Sequence, residues 1–199
     1  MKQEEVIIVG GGPCGLAAAI SLKKVNKNPL VIEKGNIVNA LYHFPTHQTF
    51  YSTAENLEIG NIPFVTANYK PKRIEALVYY REVVRKENLR IHSFEKVESV
   101  EKQPSGKFYV KTNKDEYEAK YVVMATGYYD HPNYLNVPGE DLPKVTHYFK
   151  EAHPYFQKDV VVIGGKNSAI DTSIELVKAG AKSVTVLYRG TDYSPSIKP

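Results

Sequence analysis

The chain has 199 residues, of which 42% are hydrophobic and 24% are charged, and its formal net charge is +4. This composition is ordinary for a globular protein, and no stretch approaches the roughly 20 apolar residues of a membrane span. The start of the chain does not look like a secretory signal, because two acids precede a short apolar run, so we expect a cytoplasmic protein without a membrane segment. The single cysteine excludes an intrachain disulfide and fits a reducing compartment.

Apolar patterning predicts strands and helices that alternate along most of the chain. Strand-like runs lie at 6–10, 29–33, 89–93, 121–125, 159–163 and 183–188, and helical patterns lie at 13–25, 71–87 and 167–179. The first and the last strand–turn–helix–strand stretches repeat each other weakly. Strands that alternate with helices predict βαβ units built on a parallel sheet.

A glycine turn follows the first predicted strand, where Gly10, Gly12 and Gly15 match the spacing G-x-G-x-x-G. The first glycine of such a turn permits a tight bend, the second lets the backbone approach a pyrophosphate, and the third lets the helix pack on the strand. The pyrophosphate then lies at the N terminus of the helix that begins near Pro13, where free N–H groups and the helix dipole favour an anion. This pattern predicts a dinucleotide site.

The second predicted strand ends in an acid, Glu33, which is followed by Lys34. A carboxylate at this place can accept hydrogen bonds from a ribose diol and repels a 2′-phosphate. A tight turn that binds no ligand rarely needs both the glycines and the acid. We therefore count Glu33 and Lys34 with the glycines as predicted cofactor-binding residues.

Cys14, the only cysteine, lies inside the glycine turn. The N-terminal end of a helix favours a thiolate, and a thiolate can attack a disulfide. A pyrophosphate at the same helix end opposes that effect, and the chain has no second cysteine to resolve a mixed disulfide. Cys14 therefore either takes part in thiol–disulfide exchange or is a small residue packed beside the cofactor.

The densest basic stretch, residues 70–90, could indicate a nucleic-acid surface. Apolar residues recur within it at helical spacing, namely at Ile74, Leu77, Val78 and Val84. The charges are therefore predicted to form the solvated face of an amphipathic helix, with Pro71 in its first turn, and we expect no nucleic-acid partner. The six histidines show no metal-ligand spacing, so no metal is predicted.

Alternation around the turn Gln103–Gly106 predicts a small antiparallel meander over 94–120. The next strand ends in the letters ATG, which resemble a short motif of flavoproteins with two dinucleotide-binding domains, where it lies beside FAD. Thr126 and Gly127 of this motif are therefore predicted to lie near a flavin. Prolines and glycines over 128–157 then predict a connector.

A second glycine turn departs from the fingerprint. Gly164 and Gly165 are present, but Lys166 takes the place of the second glycine and Ala169 that of the third. Alanine is a common substitute for the third glycine. Lys166 prevents the closest backbone approach, although its ammonium group could reach a phosphate.

Asn167 and Ser168 follow this turn and are predicted to cap the helix. At the end of the next strand Tyr188 takes the place of Glu33, and Arg189 follows it. A basic residue there suits the 2′-phosphate of NADPH, and Tyr188 could stack on adenine. The alternative is that Arg189 is a surface residue that closes the strand.

One predicted nucleotide turn has an acid, Glu33, after its neighbouring strand, and the other has a base, Arg189, one residue past the corresponding place. Two nucleotide sites that differ in this way suit hydride transfer from NADPH to a flavin. We predict an α/β fold with a Rossmann-like FAD-binding domain over 1–130 that includes a three-stranded β-meander, a connector over 131–157, and a partial second Rossmann-like NADPH-binding domain over 158–199. The second unit holds one βαβ, whereas a mononucleotide-binding half needs βαβαβ. We therefore expect an uncovered apolar face on its sheet.

Six stretches together resemble the bacillithiol disulfide reductases, and they span essentially the whole chain: IIVGGGPCGLAAAI, LVIEKGNIVNALYHFPTHQTFYS, ATGYYDHPNYLNVPGE, HYFKEAHPYF, VVVIGGKNSAID and VLYRGTDYSPSIKP. The resemblance implies an FAD-containing, NADPH-dependent protein of thioredoxin-reductase-like architecture. It implies that the substrate is a small-molecule disulfide, oxidised bacillithiol, in the bacterial cytosol.

The resemblance also assigns residues. Gly10, Gly12, Gly15 and Glu33 match its FAD motif, and Gly164, Gly165, Asn167, Ser168 and Arg189 match its NADPH motif. In the long excursion over 36–70, Thr46, His47 and Gln48 are either neighbours of the flavin or loop residues only. The family's turn also contains a cysteine, which favours an exchange role for Cys14.

Members of that family continue well beyond this length and return to the first domain to complete the FAD site. We therefore expect a truncated chain that holds FAD poorly, is inactive or slow alone, and associates with a second copy through uncovered strand edges. The resemblance thus implies a homo-oligomer.

Three alternative functions stay open. Flavin-dependent monooxygenases carry an F-x-G-x-x-x-H element, but here Glu151 stands at the glycine position and His153 follows Phe149 by only four residues. A ferredoxin-type NADPH reductase shares the architecture and needs no cysteine pair. A non-catalytic nucleotide-binding module is the third alternative, whereas thioredoxin reductase itself is disfavoured because its chemistry requires C-x-x-C.

Overall fold

A computed structural model describes residues 1–192 and residue 197 of the chain. These residues form two compact units. The first unit comprises Met1–His43 and Gln48–Val137, and the second comprises Phe44–His47 and the described residues from Pro138 onward. The predicted connector is divided between the units after Val137.

The first unit is a six-stranded sheet with helices. Its elements in chain order are β1 Lys2–Val9, α1 Pro13–Lys24, β2 Leu30–Ile32, α2 Asn39–His43, a 3₁₀ turn at Glu55–Leu57, α3 Arg73–Lys86, β3 Arg90–His92, β4 Val97–Lys102, β5 Phe108–Thr112 and β6 Glu116–Met124. The strand order is β3-β2-β1-β6-β5-β4. The first four strands of this order run parallel, and β5 and β4 continue the sheet antiparallel.

The meander differs in one respect from the prediction. The sequence separated a meander over 94–120 from a strand over 121–125, but β6 runs unbroken through both and belongs to the meander and to the parallel sheet. No glycine or proline interrupts residues 116–124, so the alternating strand continues. The three-stranded meander is therefore part of the central sheet.

The core lies on both faces of β1. Ile8 and Val31 are fully buried, as are Leu16 and Ile20 of α1, which packs on β1 and β2. Side chains of β1, β2, β5 and β6 form one buried cluster, made of Ile7, Val9, Leu30, Ile32, Val110, Tyr117 and Ala119. Each fully buried aliphatic side chain contributes roughly 1.5–3 kcal/mol of transfer free energy, so this cluster holds the glycine turn that follows β1 in place.

The buried face of α3 is not the predicted one. The prediction placed Ile74 and Val78 inward, but both are exposed, and Ala76, Tyr79, Tyr80 and Val83 are buried instead. The tyrosines can lie on the buried face because the apolar ring packs in the core while the hydroxyl group finds a hydrogen-bond partner. The Tyr79 ring stacks on Phe64 at 4.3 Å, and the Tyr80 hydroxyl donates to the Leu57 carbonyl at 2.9 Å.

The start of α3 also differs from the prediction. Pro71 lies before the N-cap residue Lys72 and not in the first turn. Arg73, expected on the solvated face, is buried, and its guanidinium donates to the carbonyls of Leu41 at 3.1 Å and Tyr42 at 2.5 Å. The last carbonyls of a helix have no intrahelical donor, and those of α2 accept from this cation, which explains why a charged residue lies inside.

The second unit contains β7 Asp159–Ile163, α4 Asn167–Lys178 and β8 Ser183–Leu187, with a 3₁₀ turn at His153–Tyr155. The two strands are parallel, and α4 packs on both. On the opposite face Val161, Ile163 and Leu187 are more than half exposed. This agrees with the expected uncovered sheet face. Within the described part of the chain, no helix has the length and apolar character needed to span a bilayer.

Candidate dinucleotide sites

The first glycine turn has two glycines that the fold itself requires. Gly10 has a φ of +110°, and a Cβ there would lie 2.3 Å from the Ala125 carbonyl oxygen. A Cβ on Gly15 would lie 1.9 Å from the Gly10 oxygen. Both positions exclude any other residue, so their glycines are explained without a ligand.

Gly12 is different, because nothing in the described residues requires a glycine there. Its φ is −75° and a Cβ would meet no atom within 4 Å. It is the N-cap of α1, which has no side-chain cap and no acidic residue in its first turn. First-turn N–H groups lack intrahelical acceptors, so this open face fits the pyrophosphate of a dinucleotide.

Glu33 lies beside the turn and is only 7% exposed. Its Oε2 accepts the Gly11 N–H at 2.7 Å, and its Oε1 accepts the Gly35 N–H at 2.8 Å. A Cβ on Gly11 would lie 3.0 Å from the Glu33 Cβ, so that glycine lets the carboxylate approach. A carboxylate can accept about four hydrogen bonds, and Glu33 accepts these two, so its oxygens can also accept hydrogen bonds from a ribose diol.

The sequence reasoning missed the roles of Gly11 and Gly35, although both are visible as extra glycines next to the predicted residues. Ala125 was also missed: its N–H donates to the Val9 carbonyl at 2.8 Å, and its own carbonyl faces Gly10. The first residue of the ATG stretch, Ala125, therefore lies directly beside the first glycine of the turn, Gly10. Thr126 and Gly127 follow and are exposed.

The other predicted residues of this site have different surroundings. The ammonium of Lys34 forms an exposed ion pair with Asp130. Cys14, in the first turn of α1, is exposed and free of any disulfide. Burial raises the pKa of Tyr80, with smaller contributions from the charges of Tyr79 and Cys14, so this phenol stays protonated.

The three predicted flavin neighbours of the excursion belong to different units. Thr46 donates from its backbone N–H and its hydroxyl to the Lys150 carbonyl, at 2.9 and 3.3 Å, and His47 packs edge-on against Phe149 at 5.9 Å. These contacts lie in the second unit, whereas Gln48 belongs to the first. The flavin role of Thr46, His47 and Gln48 stays a prediction.

The second glycine turn repeats part of the first. Gly164 has a φ of +147° and donates its N–H to the Leu187 carbonyl at 2.9 Å. A Cβ on Gly164 would lie 3.1 Å from the Ala169 methyl group. Lys166 is the N-cap of α4 and makes no side-chain cap. The capping prediction for Asn167 and Ser168 is wrong, because both are already helical residues.

Tyr188 packs over this turn. A Cβ on Gly165 would lie 2.4 Å from the Tyr188 ring, and one on Gly190 would lie 2.6 Å from it. The ring therefore fills space that the glycines leave, and its exposed part is what could face an adenine. Arg189 follows and is exposed. The motif residues after Asp192, other than Ile197, lie outside the described residues.

The pyridine nucleotide-disulphide oxidoreductase family model matches residues 7–199. The chain belongs to this family. Bacilliredoxin reductase Bdr of Bacillus subtilis (strain 168) is 63% identical over all 199 residues, which are 61% of its length. The structure of bacillithiol disulfide reductase Bdr (YpdA) from Bacillus cereus aligns with a TM-score of 0.97 and 66% identity over 100% of this chain and 62% of that one.

A more distant relative, ferredoxin–NADP reductase of Ignicoccus hospitalis, is 30% identical over 193 residues, with 93% of this chain and 56% of that protein covered. These comparisons confirm the resemblance and the predicted Rossmann-like α/β fold of this pyridine nucleotide-disulphide oxidoreductase. The chain spans about three-fifths of the length of the Bacillus subtilis and Bacillus cereus relatives. In the described part of the chain, no three His, Cys, Asp or Glu side chains form a group that could hold a metal ion.

Proposed function

We propose that the protein containing this chain is a flavin-dependent oxidoreductase that carries electrons from NADPH through FAD to a low-molecular-weight disulfide, namely oxidised bacillithiol. The observation that carries this proposal is the whole-chain identity of 63% to a protein named as a bacilliredoxin reductase. The balanced reaction converts NADPH, a proton and one disulfide into NADP⁺ and two thiols. A cytoplasmic location and a homo-oligomer stay predictions.

FAD is assigned to the first turn. The open side of Gly12 and the uncapped start of α1 would receive the pyrophosphate, and Glu33 would accept hydrogen bonds from the adenosine ribose. When bound, FAD supplies the two-electron relay between the nicotinamide and the disulfide. Lys34, Thr126 and Gly127 remain secondary members of this proposed site.

NADPH is assigned to the second turn. The N–H groups at the start of α4 and the ammonium of Lys166 would face the pyrophosphate, and Arg189 would pair with the 2′-phosphate. The residue directly after β8, at the place that Glu33 has after β2, is Tyr188 and not an acid, so no carboxylate at that place repels the phosphate. Gly164 supports the turn, and Gly165 supports it through its contact with Tyr188.

Cys14 is proposed to take part in thiol–disulfide exchange, which its exposure at the start of α1 permits. Its thiolate would attack one sulfur of the disulfide, so that the S–S bond breaks and one thiolate leaves. Two electrons that originate from NADPH, with protons from solvent, would then release the second thiol and restore Cys14.

The Cys14→Ser variant tests this role in a protein with the full length of its relatives. Flavin reduction by NADPH should survive, and disulfide reduction should collapse. Survival of both would show that Cys14 only fills space. A serine preserves the size of the side chain, so loss of bound FAD would assign Cys14 to cofactor packing instead.

A ferredoxin-type NADPH reductase is the second candidate function, because the Ignicoccus relative carries that name and aligns over most of this chain. The visible spectrum of the purified protein and its NADPH oxidation with different acceptors separate the candidates. Oxidation that rises only with bacillithiol disulfide supports the first function. Oxidation that rises with ferredoxin, or with oxygen alone, contradicts it, and no flavin spectrum would favour a binding module.

A further inference from the structure

Glu95 is a buried carboxylate in the link between β3 and β4, and it is only 3% exposed. Its Oε1 accepts the Thr112 hydroxyl at 2.8 Å and the Tyr117 hydroxyl at 2.7 Å, and its Oε2 lies 3.0 Å from the His92 Nδ1. Burial and the bond to Glu95 raise the pKa of Tyr117, so its phenol remains a donor. One side chain thus ties together β3, β5 and β6.

The backbone of this same link holds Glu33. The Glu95 N–H donates to the Glu33 carbonyl at 2.9 Å, and the Glu33 N–H donates to the His92 carbonyl at 2.9 Å. The backbone N–H and the backbone carbonyl of Glu33 are therefore both hydrogen-bonded to this link, to His92 and Glu95 respectively. The orientation of the Glu33 side chain depends on where this link lies.

The link is held in an unfavourable conformation. Phe94 has a φ of +56°, which is rare for a bulky residue, and its N–H donates to the Gly35 carbonyl at 2.8 Å. Its ring is 62% exposed, so packing of the ring does not hold it there. Such a conformation persists only where the surroundings impose it. The contacts on either side of the Phe94 Cα are its own bond to Gly35, the backbone bond of Glu95 to Glu33, and the buried bonds of the Glu95 side chain.

We propose that Glu95 is a positioning residue for Glu33. Its carboxylate fixes the link, and the link fixes Glu33, which then holds the N–H groups of Gly11 and Gly35. The first part of this inference concerns the chain alone. The second part, that the arrangement presents Glu33 to a ribose, rests on the proposed FAD site.

The first test measures amide hydrogen exchange at Gly11 and Gly35 in the 199-residue chain without ligand. Glu95→Ala should speed exchange at both amides by about tenfold or more after correction for global stability, and Glu95→Gln, which keeps an acceptor oxygen, should largely restore protection. Glu98→Gln, an exposed acid of β4, is the matched control. Unchanged exchange in Glu95→Ala would overturn the proposal.

If Glu95→Ala does not fold, Tyr117→Phe replaces it, because this change removes one donor and keeps the buried ring. It should speed exchange at the same two amides in the same direction. Exchange no faster than in Glu98→Gln would again overturn the proposal.

The second test is a double-mutant cycle on the FAD dissociation constant. Glu95→Ala should weaken FAD about tenfold in the unmodified chain, but less than about twofold when Glu33 is already alanine. Equal losses in both backgrounds would mean that Glu95 only stabilises the fold, which contradicts the proposal. The cycle uses a protein with the full length of its relatives; if that protein binds no FAD, the proposed cofactor site fails, and hydrogen exchange alone still decides the positioning of Glu33.

Discussion

The two glycine turns share one backbone arrangement. In the first, Gly10 has a positive φ and donates to the Ile32 carbonyl at 2.9 Å. In the second, Gly164 has a positive φ and donates to the Leu187 carbonyl, also at 2.9 Å. In both turns the acceptor is the last residue of the neighbouring parallel strand, so the bend is set by the sheet and not by a ligand.

What fills the turns is different. In each turn, the residue that follows the neighbouring strand packs on the glycine directly after the first one. This residue is Glu33 against Gly11 in the first turn and Tyr188 against Gly165 in the second. The Glu33 carboxylate accepts two backbone N–H groups, whereas Tyr188 places an aromatic ring against Gly165. The same fold position therefore carries an acid in one turn and an aromatic ring in the other, which is the basis of the two proposed nucleotide assignments.

The next position separates the turns further. Gly12 leaves open space, but Lys166 puts a long cation at the same place. A pyrophosphate can approach the backbone of the first turn, and it would meet a side chain in the second. The predictions below test whether these differences are functional.

The largest expected effect comes from Gly10→Ala, which should lower the free energy of unfolding by about 3 kcal/mol or more. The new Cβ would overlap the Ala125 oxygen at a positive φ. Urea denaturation measures the loss. Gly12→Ala is the matched control and should cost no more than about 1 kcal/mol, because alanine is a weaker N-cap than glycine but its Cβ meets no atom within 4 Å. Equal losses in the two variants would contradict the distinction between a required glycine and an open one.

Glu33→Ala should weaken FAD binding by roughly 1.5–3 kcal/mol, which is about one to two decades in the dissociation constant. The variant removes charged hydrogen bonds to the ribose and also the acceptor for the Gly11 N–H. Fluorescence titration with FAD measures this, with the exposed Glu101→Ala as control. Unchanged FAD retention in Glu33→Ala would sink the assignment of the first turn.

Arg189→Ala should weaken NADPH binding by a similar roughly 1.5–3 kcal/mol and leave NADH nearly untouched, because only NADPH carries the extra phosphate. Titration with each nucleotide measures the difference, and Arg189→Lys should retain part of the preference. If both nucleotides lose affinity equally, Arg189 is a structural residue of the strand end.

The smallest expected effect is that of Ser168→Ala. A lost N-cap typically costs about 1 kcal/mol, but α4 begins with Lys166 as N-cap, so Ser168 should matter by less than about 0.5 kcal/mol. Thermal or urea unfolding measures this. A loss near the full capping value would show that the hydroxyl does cap the helix in solution.

The sequence predicted the order of strands and helices because the apolar periodicity of each element is local. It did not predict the buried face of α3, since Ile74 and Val78 fit a helical stripe as well as the tyrosines do. Only tertiary partners such as Phe64 and the Leu57 carbonyl decide which stripe is inside. Arg73 was missed for the same reason, because its acceptors lie on another helix.

At the candidate site, the fingerprint spacing identified Gly10, Gly12 and Gly15 but could not distinguish the ones that the fold requires from the one that is open. For Gly10 that distinction depends on the Ala125 oxygen, which comes from the residue after β6, far along the chain, and for Gly15 it depends on the Gly10 oxygen in the folded turn. The network of Glu95 was invisible in the sequence, since its partners lie on three separate strands and carry no motif.

The central claim is that the two turns hold different nucleotides, FAD at the first and NADPH at the second. The decisive measurement is the dissociation constant of each nucleotide for a protein with the full length of its relatives and for its Gly12→Ala and Arg189→Ala variants. The account predicts that Gly12→Ala weakens FAD by about tenfold or more and leaves NADPH unchanged, and that Arg189→Ala does the reverse. A Gly12→Ala variant with unchanged FAD affinity, or either variant weakening both nucleotides alike, would contradict it.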